Sequence, residues 1–187
     1  LEARQGHVFA VCDFDSQEMR TWAEACSVMV GRSGLAERYR QNPDFDPHLA
    51  FAAAQLLGIS EEEALSRKKA GDPEVKAARQ SAKIPGFALP GGMGVWGLIG
   101  YARQNYGVKW RDAENCDGCR RGKGAGSREH TCFASRVRDA WYRQWPEARG
   151  YFAHTASIAD GNATLVHLYS GRIRGGVGFT DGSNSYF

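Results

Sequence analysis

Between Asp46 and Gly107 the chain carries helix start and stop signals so closely spaced that short packed helices are the structure they allow. Asp46 followed by Pro47 opens PHLAFAAAQLLG, which Gly58 closes, and its run of small residues predicts close packing against another helix. Ser60 caps EEEALSRKKA, whose acidic first turn and basic last turn suit the helix dipole. Gly71, Asp72 and Pro73 end that helix and start the one that carries Arg79 and Lys83. Pro85 lies inside it and predicts a kink, while Pro90, Gly91 and Gly92 predict its end. A further helix is expected over Val95–Tyr106, stopped by Gly107.

Upstream, His7 to Phe14 reads HVFAVCDF, a short apolar run expected to form a buried strand with carboxylates at its carboxyl end. Asp13 and Asp15 would share one face of an extended strand, a geometry able to hold divalent cations. Asp15 and Glu18 also fit a capping box opening a helix from Ser16 to about Gly31. That leaves Asp13 as the candidate metal ligand. The stretch from Gly31 to Asp44, with GRSG and QNPD, reads as a polar connection. Downstream, residues 135–151 form one amphipathic pattern with Val137, Trp141 and Trp145 on a core-facing side. GNATLVHLYS and GRIRGG are candidates for a strand pair, and GFTDGSNSYF reads as loop.

The chain has 187 residues, enough for one sizeable core, and its 42% hydrophobic and 24% charged content is that of a folded protein. A net charge of +3 says little about partners, although Lys109 to Arg138 holds eight basic against four acidic residues. With no long apolar run and no secretion-signal pattern at the start, a cytoplasmic location is expected. Of five cysteines, Cys12 and Cys26 read as inert core thiols. Cys116, Cys119, His130 and Cys132 are a competent tetrahedral set for structural zinc, with free thiols as the alternative.

Arg79, Lys83 and Phe87 are spaced four apart, which on a helix sets two cations and a ring along one face. Such a column suits a ligand with a phosphate tail and a flat base. It equally suits two snorkelling cations beside a core phenylalanine.

Taken in order, these stretches resemble the family A DNA polymerases of bacteria and phages. CDFDSQEMR is similar to the family's first palm motif, with Asp13 on the metal-binding aspartate, Phe14 on its aromatic, Glu18 on the sugar-reading glutamate and Arg20 on its arginine. Asp46, Pro47 and His48 resemble the DxH of a fingers helix whose histidine lies near the triphosphate. RQSAKIPGF resembles the fingers motif, with Arg79 and Lys83 on the phosphate-contacting pair, Lys83 on the proton donor and Phe87 on the ring beside the base. AWYRQWPEARGYF, LYSGRIRG and NSYF resemble later elements of the same family. Gly91 stands where the family has tyrosine, Ala88 where it has glycine, and the second metal motif would lie beyond Phe187.

The resemblance implies an α+β fold, a mostly helical fingers-like region attached to a partial antiparallel palm sheet. It divides the chain into a partial palm over 1–31, fingers helices over 32–108, a Cys/His insertion over 109–134, and a remaining helix with the return to the palm over 135–187. It implies template-directed addition of deoxynucleoside triphosphates to a primer 3′ hydroxyl in the complete protein, with two Mg2+ ions and primer-template DNA as partner. The chain alone is expected to be inactive or weakly active. The alternative is a non-catalytic, zinc-stabilised nucleic-acid-binding module.

Overall fold

In the structure, a computed structural model, residues 4–10, 16–116, 132–158, 160–166, 171 and 173–178 are described. Nine helices and a two-stranded ribbon make up the regular structure of these residues. Helix α1 spans Gln17–Val30, α2 Gly34–Gln41 and α3 Pro47–Phe51, the last continuing as a π-helical turn over Ala52–Leu57. Then come α4 (Glu61–Lys69), α5 (Pro73–Ala88), α6 (Val95–Tyr106) and the short α7 (Arg111–Glu114). Helices α8 (Phe133–Gln144) and α9 (Glu147–Ile158) precede β1 (Asp160–Val166) and β2 (Ile173–Gly178).

The local chemistry explains most of these boundaries. Asp46, Ser60 and Asp72 each accept a backbone N–H of the first turn that follows, satisfying donors the helix cannot pair internally. Gly31, Gly58 and Gly107 end α1, the π-turn and α6 in the left-handed region that glycine enters without a Cβ penalty. Helix α5 continues through Pro85, with the Leu89 N–H bonded to the Pro85 carbonyl at 3.0 Å, and ends next to Pro90.

The core is where α1 meets α9 and α2. Met19, Trp22, Ala23 and Cys26 line the inner face of α1 at helical spacing. Trp22 lies 5.3 Å from Trp141 of α8 and 6.1 Å from Tyr151 of α9, ring centroid to ring centroid. Glycine at position 150 lets the backbone of α9 approach α1, since a Cβ there would sit 2.7 Å from Val30 Cγ1.

Several expectations are corrected here. The α+β arrangement with a palm sheet is not formed: the described residues are almost entirely helical, and β1 and β2 pair antiparallel with each other alone. Residues 7–10 are not a buried strand. Val8 is 90% and Phe9 62% exposed, and residues 7–10 pair with no strand among the described residues. The polar connection after Gly31 contains α2, which forms because the Ser33 hydroxyl caps it at Ala36 N–H and Leu35, Ala36 and Tyr39 are buried. The single pattern over 135–151 is two helices, with Trp145 and Pro146 between them, because proline lacks the N–H an uninterrupted helix would use. Helix α1 starts at Gln17 after Ser16, which has φ 54 and makes no side-chain cap; Asp15 lies outside the described residues.

Candidate functional site

The face formed by α3, α4 and α5 is built around Asp46. Its Oδ1 accepts the Leu49 N–H at 3.0 Å, capping α3. Its Oδ2 accepts from Lys68 Nζ of α4 at 2.9 Å and from Arg79 Nε of α5 at 2.6 Å. One carboxylate therefore ties three helices together. Burial works to raise the Asp46 pKa, but the hydrogen bonds from Lys68, Arg79 and Leu49 outweigh it and hold the carboxyl below its ordinary value.

His48, two residues on, is 3% exposed. Its ring meets Phe87 at a centroid distance of 5.1 Å. Burial first, then the neighbouring charges of Arg79 and Lys83, lower its pKa to about 4 against the opposing pull of Asp46. The imidazole is thus neutral at pH 7, with Nε2 buried and without a hydrogen-bond partner among the described residues. Gly86 makes this placement possible, because the imidazole occupies the space a Cβ would take.

Lys83 follows Arg79 by one turn of α5, is half-buried, and makes no hydrogen bond or ion pair among the described residues. Arg79 donates through Nε, and among the described residues the two terminal nitrogens of its guanidinium keep their donors for another group. Two cations a turn apart beside an aromatic ring can together take a phosphate chain and the flat group attached to it.

The structure thus brings together His48, Arg79, Lys83 and Phe87. Glu18 is exposed on α1. Arg20 is committed elsewhere: its guanidinium lies 4.4 Å from the Tyr39 ring centroid and donates to the Pro43 carbonyl. Asp13 and Phe14 fall outside the described residues, as do Cys119 and His130. Cys116 and Cys132 pack on one small apolar cluster with Ile99, Ala113 and Ala134. Among the described residues no three His, Cys, Asp or Glu side chains group as metal ligands. The roles of Lys68 and Gly86 were not legible in the sequence. The basic last turn of α4 was the available signal for Lys68, and the partner of a helical glycine is set by packing alone.

No family model, curated protein or solved structure matches the chain. The resemblance to family A DNA polymerases is corrected on the fold. A polymerase of that kind carries its metal-binding carboxylates on a palm sheet, and here, among the described residues, the only two strands pair with each other and the rest of the regular structure is helical. The DNA polymerase and nucleotidyltransferase identity goes with it, for want of that sheet and of a metal-ligand group among the described residues. No helix among the described residues is long and apolar enough to cross a membrane.

Proposed function

We propose that the α3–α5 face binds the polyphosphate of a deoxynucleoside triphosphate. The observation that carries this reading is the pair of α5 cations, Arg79 held through its Nε and Lys83 one turn on, half-buried and without a hydrogen bond or ion pair among the described residues. Arg79 and Lys83 neutralise phosphate charge, and Phe87 offers a ring edge to the base.

Calorimetric titration with dATP and magnesium tests the binding. Lys83→Gln is expected to weaken it by about tenfold, the worth of one charge-assisted hydrogen bond. An unchanged affinity overturns the reading.

A second reading concerns the Cys/His segment. Cys116 and Cys132 pack on one apolar cluster. This supports structural zinc on Cys116, Cys119, His130 and Cys132. Elemental analysis should find about one zinc per chain, and less after Cys119→Ser; a metal-free wild type rules it out.

A further inference from the structure

We propose that Asp46 is a positioning residue for Arg79 and that Lys68, on a different helix, acts on the phosphate site through Asp46 without touching the ligand. The inference rests on the phosphate-binding reading above and goes beyond it to the control of that site's affinity. Arg79 and Lys68 converge on the same oxygen, Asp46 Oδ2, while Oδ1 is taken by the Leu49 N–H. By holding Arg79 through Nε, Asp46 fixes the guanidinium plane and leaves its terminal nitrogens to donate. The same carboxylate is a liability beside a polyphosphate, since like charges repel across a partly desolvated face. Lys68 offsets that charge. It belongs to the basic last turn of α4, and its ammonium donates to Asp46 Oδ2. Removing Lys68 therefore leaves the Asp46 charge to be balanced by Arg79 alone, at the expense of the charge Arg79 offers the ligand phosphates, and removing the Asp46 charge makes Lys68 dispensable.

The experiment is a double-mutant cycle on the full chain with inorganic triphosphate as the calorimetric probe. Asp46→Asn is the appropriate partner variant, because asparagine also caps helices and so preserves α3. Unchanged circular dichroism and melting temperature establish that each variant is folded. Lys68→Gln should weaken triphosphate binding by about fivefold in the wild-type background and by less than about twofold in the Asp46→Asn background. A loss of similar size in both backgrounds would mean that Lys68 contacts the ligand itself, and would overturn the relay, as would no loss in the wild type. A ligand-free measurement separates this from failure of the binding site. The NMR signal of the Arg79 Nε–H should shift and exchange faster in Asp46→Asn and stay in place in Lys68→Gln. If Asp46→Asn leaves it unmoved, Asp46 does not position Arg79, whatever triphosphate does.

Discussion

A β-carbon placed on Gly86 would lie 2.4 Å from His48 Cε1, closer than two carbon atoms can approach. Helix α5 therefore packs on α3 with the imidazole seated in the space a side chain would fill. Gly86→Ala should destabilise the protein by about 1–3 kcal/mol through overpacking, read from urea unfolding. Adding His48→Ala to that variant should recover part of the loss, because the two changes share one contact. Equal stability of Gly86→Ala and wild type would show that the ring can move aside.

The His48 pKa of about 4 makes the fold sensitive to acid. The unfolded chain takes up a proton on this residue near pH 6.5, whereas the folded protein resists until about pH 4. Its contribution is fully present above pH 6.5 and declines as pH falls through that window, by up to about 3 kcal/mol. An imidazole NMR titration should find His48 uncharged at pH 5.5, and a midpoint near 6.5 would refute the assignment.

Glu147 is 6% exposed, and its Oε1 accepts from the Ser33 hydroxyl at 2.9 Å and the Leu35 N–H at 3.0 Å. It thereby secures the start of α2 from a position over a hundred residues away. Glu147→Ala strands both donors and should cost about 2–3 kcal/mol of unfolding free energy. Glu147→Gln keeps an acceptor oxygen and should cost clearly less. Equal losses in the two variants would assign the effect to packing.

Trp22 has no exposed surface and contacts Trp141 and Tyr151. Trp22→Ala should remove about 3–5 kcal/mol and change the intrinsic fluorescence of the folded state. Trp96, 46% exposed on α6, is the control whose truncation should shift the urea midpoint little.

The helical punctuation was legible because capping is local. Asp46, Ser60 and Asp72 act on N–H groups within three residues of themselves, and Gly58 and Gly107 need only their own backbone freedom. The Arg79, Lys83 and Phe87 column was legible for the same reason, since spacing along one helix fixes which residues share a face. The expected strand at His7 to Phe14 was misread over residues 7–10, where Val8 and Phe9 are exposed, because an apolar run becomes a strand only beside a partner edge. Helix α2 was missed because eight residues hardly form a helix alone. It exists by burying Leu35 and Tyr39 and by its tie to Glu147.

What the sequence determined by itself was where helices begin and end and which side chains lie in register along α5. Tertiary structure decided that Asp46 gathers cations from two other helices, that His48 is buried and neutral against Phe87, and that Gly86 must lack a side chain. The division has a physical basis. Helix caps and periodicity act over a few residues of chain, whereas burial, charge pairing and close approach depend on segments that only folding brings together.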